Sequence, residues 1–190
     1  MLSALVGLIG MVLVVAIVLV AVGVMIYNGL VSQRNRVQNA WAQIDVQLKR
    51  RHDLIPNLVN AVKGIMTQER EILERVTQAR ANAISAGNNV EARADAENAL
   101  TGAVRSLFVV AEAYPTLRSN ENMLALQEEL SSTENRIAFS RQFYNDSVME
   151  YNTAQQQFPA VLFTANLGFR PATLFELTDA AERAVPTVSF

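Results

Sequence analysis

The apolar positions of this chain form one solid block and then a set of stripes. The block is Ala4 to Tyr27, ALVGLIGMVLVVAIVLVAVGVMIY, an almost unbroken run of Leu, Val, Ile, Met, Ala and Gly. A helix of that length rises about 36 Å, enough to cross a hydrocarbon core of about 30 Å with some tilt. Tyr27 and Asn28 then suit the polar interface. From Leu30 the rhythm becomes helical. Leu30, Val37, Trp41, Ile44 and Leu48 step by 7, 4, 3 and 4, and the stripe resumes at Ile55, Leu58, Val62, Ile65, Ile72 and Val76. Such spacing is the seam of a helix packed on other helices.

Pro56 interrupts the second stripe, because proline lacks a backbone donor and disfavours α geometry in the residue before it. The stripe keeps its phase across Pro56, which predicts one very long, Pro-kinked helix over 28–85. Gly87-Asn88-Asn89 stops it. A shorter helix is predicted over Val90–Ala113, ended by Tyr114-Pro115. A third runs from an N-cap at Ser119 to Gln157, where Phe158-Pro159 stops it. Beyond lie a loop, a short helix near Thr173–Ala184 and an extended PTVSF tail. The predicted fold is all-α: a single N-terminal transmembrane helix (1–27) followed by an elongated antiparallel helical bundle (28–190).

Charge sharpens the first division. The chain carries 16 Lys+Arg and 18 Asp+Glu, and none of them precedes Arg34. The competing reading of the apolar block is a cleaved secretory signal, with Ala21-Val22-Gly23 as its cleavage pattern. The absence of a positive n-region and the length of the run favour an uncleaved anchor. The cations that follow (Arg34, Arg36, Lys49, Arg50 and Arg51) place the N-terminus outside and the domain in the cytoplasm by the positive-inside rule, a periplasmic domain being the alternative. Between Arg34 and Arg80 nine basic residues face five acidic ones, whereas seven face thirteen from Ala81 onward. The basic half suits anionic head groups, so those five cations are candidate lipid contacts. A solvated helix face, with Asp45–Lys49 and Lys49–Asp53 pairs, is the structural alternative.

Candidate chemistry is sparse. The chain has no cysteine and one histidine, His52, which sits among charged neighbours as a solvated or ion-paired residue. No phosphate-binding glycine loop, GxSxG elbow or ExxH ligand set occurs, and the acidic pairs Glu128-Glu129 and Glu69/Glu71 read as solvent-facing. No cofactor, metal or nucleic-acid partner is expected. Two polar features stand out. Tyr144-Asn145 recurs seven residues later as Tyr151-Asn152, putting the tyrosines on one face and the asparagines beside them. Arg141, at a seam position, calls for a carboxylate, with Asp45 or Asp53 as candidates for a buried ion pair. Trp41, Ile44, Leu48, Pro56, Tyr144, Asn145, Tyr151 and Asn152 are therefore the residues expected to fix helix register and packing.

The runs NAWAQIDVQLKRRHDLIPNLVNAVKG, ILERVTQARA, YPTLRSNENMLALQEELSSTENRIAFSRQFYNDSVMEYN and GFRPATLFEL, with the final PTVSF, resemble LemA family proteins along essentially the whole chain. That resemblance implies an N-terminal transmembrane helix, a short outer N-terminus and an antiparallel helical domain in the inner membrane. It supplies no activity, and an envelope partner such as a membrane metalloprotease is implied by association alone. Sequence and resemblance together predict a membrane-anchored, non-enzymatic scaffold or adaptor of the bacterial cell envelope, forming homo-oligomers. The alternatives are a transmembrane sensor acting through Pro56 and linked to envelope stress, and a lipid-directed hydrolase built on carboxylates.

Overall fold

The computed structural model describes residues 2–66 and 68–176, and among these the chain is all-α with no strand. Five helices occur in order: α1 (Leu2–Lys63), α2 (Arg70–Ser85), α3 (Val90–Ala111), the single turn α4 (Pro115–Arg118) and α5 (Glu121–Gln156). A 3₁₀ turn at Ala160–Leu162 follows.

α1 includes the apolar block and runs through Pro56 without a break. It does not continue to Ser85. At Gly64 the chain leaves the helix, and the Val62 carbonyl accepts from both Ile65 N (3.0 Å) and Met66 N (2.8 Å) in a tightened turn. Glycine forfeits more backbone entropy than any other residue in a helix and has no side chain to pack. The apolar rhythm survived this break because α2 returns to the same core. Leu73 and Val76 of α2 belong to one cluster with Ile55, Leu58 and Val62 of α1.

Local chemistry sets the other ends. Gly87 follows α2 with φ +64°, the left-handed geometry glycine adopts without penalty. Asn89 caps α3 by accepting from Ala92 N at 2.9 Å. The cap of α5 is Asn120, whose Oδ1 accepts from Asn122 N (3.0 Å) and Met123 N (3.2 Å), one residue beyond the expected Ser119. Most of the helix expected near Thr173–Ala184, and the PTVSF tail, lie outside the described residues; 173–176 are not helical.

The contacts divide the chain into two compact units. One comprises the chain up to Asn39 with Asp146–Ala172, and buries Leu30, Val37, Val148, Tyr151, Ala160 and Phe169. Its portion of α1 carries bare apolar side chains, with Val6 63%, Leu19 66% and Met25 74% exposed. α1 is the one helix among the described residues long and apolar enough to cross a membrane, and its most apolar stretch is not buried in the protein. That exposure separates it from the core helix of a soluble domain. The other unit comprises Ala40–Asn145 with the segment from Thr173. Its core cluster joins Ile55, Leu58 and Val62 of α1 to Val76 of α2, Leu100 and Leu107 of α3, and Leu130 of α5, and Ile44, Leu48 and Ile137 are buried as well. Full burial of each such side chain contributes about 1.5–3 kcal/mol.

Candidate functional site

Within the second unit, α1 turns two ionisable side chains inward. Arg51 lies three residues after Leu48 and four before Ile55, a seam position, and its side chain is 4% exposed. On α3, Glu97 lies three residues after Ala94 and three before Leu100, and it is wholly buried. Helical phase thus aims a cation and an anion into the same core. Arg51 Nη2 donates to the Glu97 carbonyl (3.0 Å) and to Thr101 Oγ1 (2.8 Å), and stands 3.6 Å from Glu97 Oε2. Its Nη1 donates to Glu134 Oε2 of α5 at 3.0 Å. His52 Nε2 meets Glu97 Oε1 at 2.8 Å, so Glu97 lies between both α1 residues. Arg80 of α2 donates Nε to the His52 carbonyl at 2.7 Å. That carbonyl would accept from residue 56 in a regular helix, and Pro56 has no hydrogen to give.

Four helices therefore converge on one neutralised cluster. Among the described residues the buried acidic and basic side chains are Arg51, His52 and Glu97, and each contacts another of the three. An ionised group in a core needs such partners, because isolated burial is strongly unfavourable. The arrangement suits holding helices in register. An open groove of about 1240 Å³ lies elsewhere, among the end of α1, α2 and α3, and its lining includes Lys63, Glu71, Arg75, Ala79, Gly102 and Ser106 but none of the three.

A second constellation surrounds Trp41, which is half-buried. Its ring stands 5.3 Å from Tyr144 and 5.5 Å from Phe175, and the Arg93 guanidinium lies 5.5 Å above it. Arg93 also pairs with Asp45. Burial raises the Tyr144 hydroxyl above its ordinary pKa, and that hydroxyl donates to the Thr173 carbonyl at 2.8 Å. Asn145 reads both sides of one residue's backbone, accepting from Phe175 N (2.9 Å) and donating to its carbonyl (3.2 Å). The first unit contains the same device. Asn152 accepts from Ala172 N (2.8 Å) and donates to its carbonyl (2.9 Å). Tyr151, 3% exposed, is raised by burial, with the charge of Arg34 pulling the other way. Each asparagine of the heptad repeat thus pairs with both backbone groups of one residue.

Several expected residues stand elsewhere than the sequence placed them. Arg51 is no head-group contact, since it is buried among Glu97, Thr101 and Glu134. Arg36 meets Glu150 at 2.8 Å, Arg50 meets Glu129, Arg34 lies over the Phe169 ring at 5.6 Å, and Lys49 is exposed. The buried ion pair is Arg51 with Glu97. Asp53 is exposed, Asp45 carries Arg93, and Arg141 is half-buried. Of the two readings of His52 the paired one holds, with the ring buried against Glu97. Glu129 and Glu71 receive Arg50 and Arg75, and the Tyr114 hydroxyl lies 3.4 Å from Glu69. Ile44 and Leu48 are fully buried, and Pro56 is exposed on α1. Glu97, Arg80 and Phe175 were missed, although the phase of Glu97 with Ala94 and Leu100 was a readable signal.

The sequence model of the LemA family matches residues 40–190, from the start of the bundle unit to the last residue. The chain belongs to the LemA family. It is similar to protein LemA of Metamycoplasma hominis, 24% identical over 164 residues that cover 84% of this chain and 73% of that protein. It is also similar to magnetosome protein MamQ of Magnetospirillum gryphiswaldense, at 23% identity over 186 residues covering 85% and 68% of the two chains. A MamQ of Paramagnetospirillum magneticum matches at 24% over 193 residues, covering 88% and 71%. The LemA match takes in every residue of the ion cluster: Arg51, His52, Arg80, Glu97, Thr101 and Glu134 all fall inside it.

Proposed function

We propose that this LemA family chain is a membrane-anchored, non-enzymatic helical scaffold that associates with itself and docks envelope proteins beside the bilayer. The observation that carries this reading is the way the bundle spends its buried charge. Arg51, His52 and Glu97 pair with one another between helices, an arrangement that fixes geometry and lies apart from the groove. The bare apolar stretch of α1 supports a single span of the inner membrane, and the positive-inside rule favours a cytoplasmic bundle. Extraction of the full chain from native membranes into lipid nanodiscs, followed by mass photometry and crosslinking, tests the proposal. A defined oligomer, or a recovered envelope protein, is expected. A monomer without any crosslinked partner would overturn it.

A further inference from the structure

The first unit exposes a second apolar surface besides the bare stretch of α1. After α5 the chain turns through Phe158, Val161, Leu162, Phe163 and Leu167, exposed by 79%, 47%, 60%, 44% and 46%. Soluble surfaces rarely gather so many large apolar side chains in one short turn. The stretch is also free of charge. Between Glu150 and Arg170 all nineteen residues are uncharged.

Much of its backbone is paired from within. Phe163 N and Thr164 N donate to the Ala160 carbonyl (2.9 and 3.1 Å), Leu167 N donates to Phe163 (3.0 Å), and Phe169 N donates to Thr164 (3.1 Å). Gly168, at φ +75°, closes the turn. A segment that enters lipid needs this, because the hydrocarbon offers no partner for backbone polar groups.

The end of the turn lies against the polar margin of the anchor. Phe169 packs edge-on against Tyr27 with ring centroids 5.7 Å apart, and Arg34 covers the same ring at 5.6 Å. An aromatic pair with a cation beside it matches the chemistry of a membrane interface, where rings and long basic side chains sit at head-group depth.

We propose that the charge-free turn carrying Phe158, Leu162, Phe163 and Leu167 inserts into the same bilayer that α1 spans, as a shallow second attachment beside Tyr27. The occupant of this surface is lipid. The proposal rests on Ala4–Tyr27 being a transmembrane span. Side chains of this kind enter roughly 5–10 Å at the boundary of head groups and acyl chains.

The chain has no cysteine, so single nitroxide labels report one site at a time. The full chain would be reconstituted in phosphatidylethanolamine–phosphatidylglycerol vesicles with a label on Leu162→Cys or Phe158→Cys. Leu19→Cys, inside the span, and Ser132→Cys, exposed on α5, serve as references. Collision with oxygen relative to a water-soluble nickel chelate measures depth by electron paramagnetic resonance. The ratio at both turn sites is expected to exceed that at Ser132→Cys several-fold and to approach that at Leu19→Cys. Turn labels as wet as Ser132→Cys, with Leu19→Cys in lipid, would overturn the proposal and leave the anchor standing. Labels shielded from both reagents, with dipolar broadening, would overturn it in favour of a second copy of the chain. A wet Leu19→Cys would overturn both the insertion and the anchor.

Discussion

Arg80 donates its Nε hydrogen to the His52 carbonyl, the acceptor that Pro56 leaves without its helical donor. A proline inside a helix usually costs about 3 kcal/mol through a lost hydrogen bond and a clash. Here the freed carbonyl becomes a docking point for α2, so the break in one helix's ladder is the bond that ties a second helix to it.

Arg80→Ala is therefore expected to destabilise the bundle by about 1–3 kcal/mol, since it strands a buried carbonyl. In a Pro56→Ala background the loss should shrink, because residue 56 then supplies its own donor. Thermal melts of the four members of this double-mutant cycle, followed by circular dichroism in detergent, measure the coupling. Strictly additive effects would refute the link.

Glu97→Ala removes the buried carboxylate between Arg51 and His52, leaving Arg51 only the half-exposed Glu134, and a loss of about 3–5 kcal/mol is expected. The combined Arg51→Met, His52→Leu, Glu97→Leu variant should lie much closer to the parent, because the whole desolvated set is replaced at once. Unfolding midpoints of the single and triple variants decide this. A triple variant weaker than Glu97→Ala would mean that the cluster contributes net stability.

Asn145→Ala and Asn152→Ala each remove two hydrogen bonds to backbone, and losses of about 1–3 kcal/mol apiece are expected. The effect is local. Amide hydrogen exchange should quicken at Phe175 in the first variant and at Ala172 in the second. Asn145→Asp and Asn152→Asp should be at least as damaging near neutral pH, because a carboxylate accepts but cannot donate.

Burial raises the hydroxyls of Tyr144 and Tyr151. Below about pH 10, the ordinary tyrosine value, both are neutral in the folded and unfolded chain and confer no slope. Above it the unfolded chain releases these protons first, so stability falls as pH climbs toward the raised folded values. Melting temperatures measured from pH 8 to 11 should be level and then drop. Tyr144→Phe and Tyr151→Phe together should flatten the drop, with Tyr144→Phe also lowering the plateau through loss of the bond to Thr173.

Much of the fold could be read from side-chain phase. Leu30, Val37, Ile44, Leu48, Ile55, Leu58 and Val62 lie on one helical stripe and are all buried. Phase reports which face is apolar and says nothing of where a helix reverses, so the turn at Gly64 was hidden by a stripe that α2 carries on. Arg51 and Glu97 sat at seam positions in plain view. Their pairing was not legible, because 46 residues separate them and no local rule joins such distant partners. The Tyr-Asn repeat drew notice for its spacing, but Asn145 could not announce that its partner was the backbone of Phe175.

The ion cluster also bears on how the chain is made. Arg51 is synthesised 46 residues before Glu97 and 83 before Glu134. At about 5–20 residues per second, Arg51 spends on the order of ten seconds as a bare cation before its last partner exists. Until then the pocket that will desolvate it is incomplete, and the cation stays in water. The part of α1 around Arg51 can therefore be buried only after α3 and α5 have been made.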